Sequence, residues 1–123
     1  MKKILFIEDE SALQKALGDV LSQEGYKMIS ALDGKIGMRL AKTENPDLIL
    51  LDLILPRMLG LDVLKSLKKD SETKWIPVIV LTNREDLEMI EQAMTLGASS
   101  YLIKANYSLE ELLKKIKQKF QEE

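Results

Sequence analysis

Asp47-Leu48-Ile49-Leu50-Leu51-Asp52 decides the fold. An unbroken apolar run closed by an aspartate at each end reads as a short strand covered on both faces, the habit of a central parallel strand. Working outward, two other runs share this form. Ile4–Ile7 ends at Glu8 and Asp9, and Tyr101–Ile103 ends at Lys104. The spacing predicts strands over Lys3–Ile7, Tyr26–Ala31, Asp47–Asp52, Val78–Leu81 and Ser99–Ile103. Pro77 stands where a strand start tolerates a missing donor.

Between these runs the apolar period becomes helical. Leu13, Ala16, Leu17, Val20 and Leu21 form one stripe, and Leu61, Leu64 and Leu67 another. Leu87, Ile90, Ala93 and Met94 are expected to face inward on a later helix; Leu109, Leu112, Leu113, Ile116 and Phe120 line the last. A shorter helix from Asp33 to about Thr43 is weakened by Gly34 and Gly37. Ser11 with Gln14, Asn83, and Ser108 with Glu111 are predicted N-terminal caps, and Gly25 and Gly97 predicted ends. Trp75 is expected to pack over a loop.

Strands alternating with helices imply an α/β fold: a flavodoxin-like (βα)5 doubly wound parallel sheet in three α/β/α layers. Strand order 2-1-3-4-5 is the common solution for five such units. The 123 residues suit one domain, with no repeat or linker. A net charge of −2 gives no general attraction to nucleic acid or anionic membrane. The lysines at 114, 115, 117 and 119 share their helix with Glu110 and Glu111 and read as a solvated face. With no cysteine and no histidine, thiolate and imidazole chemistry are excluded. The first apolar run is too short for a signal peptide or membrane span, so a cytoplasmic location is expected.

In order 2-1-3-4-5, strands one and three lie side by side, and ligands bind at the carboxyl edge of such a sheet. Glu8, Asp9, Asp52 and Lys104 should therefore meet there. Converging carboxylates repel one another, so one pKa should rise unless a cation intervenes. Mg2+ takes one or two carboxylates, keeps waters and accepts phosphate oxygens, which fits this set. Asp52 is then a candidate nucleophile for an acyl phosphate, with Lys104, the Thr82 hydroxyl and a backbone N–H beyond Asp52 facing the phosphoryl oxygens.

The chain resembles the receiver domains of two-component response regulators, the CheY type, from end to end. The resemblance rests on Ile7-Glu8-Asp9-Glu10, Asp52 through Gly60 with Pro56, Leu81-Thr82, Gly97-Ala98 and Tyr101-Leu102-Ile103-Lys104. It implies a signalling switch in which Asp52 accepts a phosphoryl group from a histidine kinase or phosphotransfer protein. Glu8, Asp9, Asp52 and the Ile54 carbonyl would hold Mg2+. Thr82 would be the switch hydroxyl, Tyr101 the aromatic that follows it, and Lys104 the counter-charge. Such a chain is a regulator that catalyses only its own phosphorylation and dephosphorylation. It is expected to pass the signal to a downstream effector through the face of helix four, strand five and helix five, including Arg84, Leu87, Glu88, Glu91, Tyr101 and Ile103. A monomer is expected, with phosphorylation-linked dimers left open.

Three positions depart from the family pattern. Ala105 replaces the usual proline after Lys104; a cis bond there would cost ~3–4 kcal/mol, so trans is expected. Asn83 replaces the usual small residue after Thr82. Ile54, with Arg84, flanks the path of an attacking water, so slow autodephosphorylation is expected. A nucleotide or flavin site would want free N–H groups after strand one, where this chain has acids. An aspartate phosphatase would want a second carboxylate at Ile54. A degenerate receiver that binds partners without phosphorylation is the remaining alternative.

Overall fold

The computed structural model describes residues 1–122. Five parallel strands form one sheet in the order β2-β1-β3-β4-β5. They are β1 (Lys3–Ile7), β2 (Lys27–Ala31), β3 (Leu48–Leu51), β4 (Val78–Thr82) and β5 (Ser100–Ile103). The helices are α1 (Ser11–Gln23), α2 (Gly34–Thr43), α3 (Gly60–Lys69), α4 (Leu87–Thr95) and α5 (Leu109–Gln121). A short 3-10 turn, Lys104–Asn106, links β5 to α5.

The pleat divides the core in two, because successive strand residues point to opposite faces. Leu5, Ile7, Ile49, Leu51, Val78 and Val80 pack with Val63, Leu64, Leu67 and Ala93 from α3 and α4. Ile4, Phe6, Leu48, Leu50, Ile79 and Leu81 pack with Leu17, Leu21, Leu112 and Ile116 from α1 and α5. β3 and β4 are buried along their whole length, as their sequences require.

Glycine explains two of the close approaches. A Cβ on Gly37 would lie 2.5 Å from Ile7 Cδ1, so this residue, unfavourable for an isolated helix, lets α2 lie against β1. At Gly60 a Cβ would meet Leu53 Cα at 2.3 Å and the Asp52 carbonyl oxygen at 2.7 Å. The start of α3 is thereby pressed onto the loop that follows β3.

Gly25 (φ 85°) and Gly97 (φ 108°) end α1 and α4 as expected. Tyr26 N–H reaches the Leu21 carbonyl and Ala98 N–H the Ala93 carbonyl, the six-residue closure of a Schellman end. Asp33 caps α2 through the Ile36 N–H, and Ser108 and Glu111 form the predicted capping box.

Other expectations are corrected. Ser11 is the first helical residue and Glu10 the cap position, so Ser11 and Gln14 form no capping box. Gln14 is drawn instead to three buried carbonyls. Asn83 caps nothing: α4 begins after Asp86, and the Asn83 side chain is taken by another backbone group. The α4 stripe is rotated from the predicted one. Ala93 is buried, but Leu87 is 68% exposed and Met94 43%, while Met89 and Leu96 pack inward. Trp75 is exposed and donates its indole N–H to the Glu72 carbonyl.

Candidate functional site

Parallel register brings the acids together. Ile7 pairs with Leu51, so Glu8 and Asp52 leave the carboxyl edge on adjacent strands at the same height. Thr82 pairs with Ile103, which sets Lys104 one step beyond Thr82. Glu8, Asp9 and Asp52 present carboxylate oxygens that all lie within 4.8 Å of one another. Glu8 and Asp52 are buried and Asp9 is exposed.

Asp52 is held at both oxygens. The Ile54 N–H donates to Oδ1 at 3.0 Å, and the Lys104 ammonium donates to Oδ2 at 2.8 Å. Lys104 is also ion-paired with Glu8, and Glu10 stands 4.0 Å away. Burial pushes the Glu8 carboxyl up to about 7, against the lowering hydrogen bond from Lys104 and with added repulsion from Asp52. One carboxyl pKa does rise, that of Glu8, but burial is the main cause and the anticipated repulsion a lesser one. Burial alone would lower the Lys104 pKa, but its hydrogen bonds and charge pairing with Asp52 and Glu8 raise it.

The donor set suits a hard divalent cation. It offers three carboxylates, two of them buried, with the single ammonium of Lys104 between Glu8 and Asp52. A divalent cation would supply the positive charge these converging acids still lack, and Mg2+ accepts such ligands.

Thr82 is fully buried at the end of β4. Its Oγ1 receives only the Arg84 N–H, at a long 3.5 Å, so the hydroxyl has a weak hold on its present position. Tyr101 is half-buried and packs on the core beneath α4. Its hydroxyl donates to the Arg84 carbonyl at 2.8 Å, tying β5 to the β4–α4 loop. Ile54 is 53% exposed beside the Asp52 carboxylate, and Arg84 is turned onto Asp86 at 2.9 Å. No cis peptide bond occurs among the described residues, so the Lys104–Ala105 bond is trans.

The contacts of two residues near the site escaped sequence reasoning, which read both as helix caps. Gln14 Nε2 donates to the carbonyls of Phe6 (2.8 Å), Glu8 (3.1 Å) and Ala31 (3.2 Å), and its Oε1 accepts the Ser30 hydroxyl at 2.8 Å. It shares a helix face with Leu17 and Leu21, at i, i+3 and i+7. A polar residue in a buried stripe is the signal that could have found it. Asn83 is the other, accepting the Ala105 N–H.

The sequence matches the response regulator receiver domain family over residues 4–117, and the chain belongs to that family. It is 37% identical over 117 residues to the DNA-binding dual master transcriptional regulator RpaA of Synechocystis, covering 95% of this chain and 48% of that protein. It is 35% identical over 103 residues to sporulation initiation phosphotransferase F of Bacillus subtilis, covering 84% of this chain and 82% of that one. A CheY-like receiver domain protein from Methanospirillum hungatei superposes with a TM-score of 0.92 at 30% identity, over 99% of this chain and 95% of its own. The chain spans under half the length of several transcriptional regulators it matches, 42% in the case of a ycf27 regulator of Porphyridium aerugineum.

Proposed function

We propose that this receiver domain is a phosphorylation-activated switch with Asp52 as the acceptor. The supporting observation is the hold on that carboxylate. It is buried, fixed at Oδ1 by the Ile54 N–H and at Oδ2 by Lys104, with Glu8 and Asp9 beside it. An Asp52 oxygen attacks phosphorus, and the donor's P–N bond breaks with its electron pair leaving on the histidine nitrogen of a kinase or phosphotransfer protein. The product is an acyl phosphate on Asp52. Lys104 and the Ile54 N–H, now on the Asp52 oxygens, would meet the phosphoryl oxygens, and Thr82 would donate its hydroxyl. Glu8, Asp9, Asp52 and the Ile54 carbonyl would hold Mg2+. When bound, the cation neutralises the acids and offers positive charge to the incoming group.

The acyl phosphate adds negative charge and strong acceptors at one point. Thr82, weakly held, turns toward it. Arg84 lies two residues on, bonded through its carbonyl to Tyr101, so the β4–α4 loop and Tyr101 rearrange together. The α4, β5 and α5 face, with Arg84, Leu87, Glu88, Glu91, Tyr101 and Ile103, then changes for a downstream effector. None of the described helices is long and apolar enough to cross a membrane.

The test is incubation with Mg2+ and acetyl phosphate, read by intact mass. One phosphoryl adduct is expected, absent without Mg2+ and absent in Asp52→Asn. No adduct on the unmodified chain, together with no binding of a beryllofluoride mimic, would leave a partner-binding module and refute the switch.

A further inference from the structure

We propose that Asn83 is a positioning residue for Lys104, acting through the Ala105 N–H. Two of the three positions at which this chain departs from the family pattern meet in one hydrogen bond. Asn83 Oδ1 accepts from the Ala105 amide at 3.1 Å. A proline at 105 would have no such donor. Alanine supplies one, and a small residue at 83 would offer no side-chain acceptor. The departures therefore form a donor–acceptor pair.

The bond sits where it controls the lysine. Thr82 and Ile103 are paired across β4 and β5, and beyond them both strands end. The chain then enters the 3-10 turn Lys104–Asn106, closed at its end by the Tyr107 N–H on the Lys104 carbonyl at 3.2 Å. The first N–H groups of any helical turn lack internal partners. At Ala105 that vacancy is filled from the neighbouring strand end. Asn83 thereby fixes the backbone on the C-terminal side of Lys104, as the β5 ladder fixes it on the N-terminal side. The Lys104 ammonium reaches Asp52 and Glu8 through a flexible four-carbon stem. With its root fixed, the stem has fewer ways to miss Asp52. The same bond ties the residue after Thr82 to the residue after Lys104, so two of the groups proposed to face the phosphoryl oxygens share one brace.

The functional side of this inference rests on the proposed role of Asp52; the structural side does not. The test uses metal-free chain labelled with 15N and 13C, as unmodified protein, Asn83→Ala and Asn83→Asp, the last keeping the acceptor. In the unmodified chain a through-bond coupling from Ala105 nitrogen to the Asn83 side-chain carbonyl carbon is expected. Asn83→Ala should abolish it and lower the order parameter of Lys104 Cε, and Asn83→Asp should restore that order. With acetyl phosphate and Mg2+, a displaced Lys104 should slow adduct formation about tenfold, given that ~1 Å of misplacement can cost 10²-fold. Unchanged Lys104 order in Asn83→Ala would overturn the proposal, making the bond a local loop tie. Loosened Lys104 with unchanged phosphorylation would overturn it for the reaction. Loosened Lys104, restored by Asn83→Asp, in a chain that never forms an adduct would keep the brace and refute the role of Asp52 instead.

Discussion

Replacing Gln14 by methionine keeps length and approximate volume and removes one amide. Its NH2 group feeds the Phe6, Glu8 and Ala31 carbonyls at 2.8, 3.1 and 3.2 Å, from a side chain 5% exposed. Ala31 keeps a second donor, the Glu8 N–H at 2.9 Å, so its loss is small. Ser30 is exposed and can turn its hydroxyl to water. Phe6 lies inside the β1–β2 ladder, where its carbonyl keeps the Ala31 N–H, so the loss falls mainly on the Glu8 carbonyl. At ~1–3 kcal/mol for a buried group left unsatisfied, with part returned by the apolar methionine, Gln14→Met should cost about 1–2 kcal/mol. That is a large share of the ~5–15 kcal/mol typical of a domain. Urea unfolding followed by far-UV circular dichroism reads it directly, with an unchanged m-value. The Glu8 carbonyl sits at the head of the acid cluster, so Mg2+ affinity should fall as well. If Gln14→Met unfolds within ~0.5 kcal/mol of the unmodified chain, the three contacts carry no net stability and the reasoning fails.

The remaining predictions concern the acids and the loop that holds Asp52. Glu8 binds its proton more tightly folded (about 7) than at its ordinary 4.5, so the folded state holds more protons between those values and stability falls as pH rises through them. In EDTA this loss should approach ~3 kcal/mol by pH 8; Glu8→Gln should flatten it, as urea midpoints at pH 5 and pH 8 will show. Gly60→Ala would drive a Cβ to 2.3 Å from Leu53 Cα and should destabilise by roughly 1–3 kcal/mol while displacing Asp52, measured by urea unfolding and by adduct yield. Ile54 offers no hydrogen bond to a water beside the acyl phosphate, so Ile54→Asn should speed dephosphorylation, measured as adduct lifetime after donor removal.

The parts of the site legible in the sequence are those set by strand ends. An apolar run fixes where a parallel strand stops, and order 2-1-3-4-5 fixes which stops are neighbours, so Glu8, Asp52, Thr82 and Lys104 could be placed together without coordinates. Gln14 and Asn83 were misread for a shared reason. Each stands near a helix start in a pattern that local capping rules accept, and each is claimed by a partner distant in sequence: Phe6, Glu8 and Ala31 for one, Ala105 for the other. Capping rules see three residues ahead and cannot see a neighbouring strand. Gly37 shows the same limit from the other side, since its helix penalty was legible and its contact with Ile7 was not.

The misread face of α4 bears on the switch and the effector contact proposed above. Leu87, Ile90 and Met94 follow helical spacing and would suit a core, yet among the residues of α4 only Ala93 is buried. By contrast α3 buries Gly60, Val63, Leu64 and Leu67, and α1 buries Gln14, Leu17 and Leu21. Hydrophobic anchorage scales with the apolar area withdrawn from water, at roughly 25 cal/mol per Å2. A helix held by one alanine, with Met89 and Leu96 partly covered, is therefore displaced at lower cost than its neighbours. It also directly follows the loop that starts after Thr82 and carries Arg84. A phosphoryl group has little binding energy to spend on motion, and a helix with a shallow hold answers to a small push. The apolar side chains that α4 leaves outside are then the natural material for an effector contact. Packing them inward, as the sequence pattern suggested, would have strengthened the helix's hold and removed that surface.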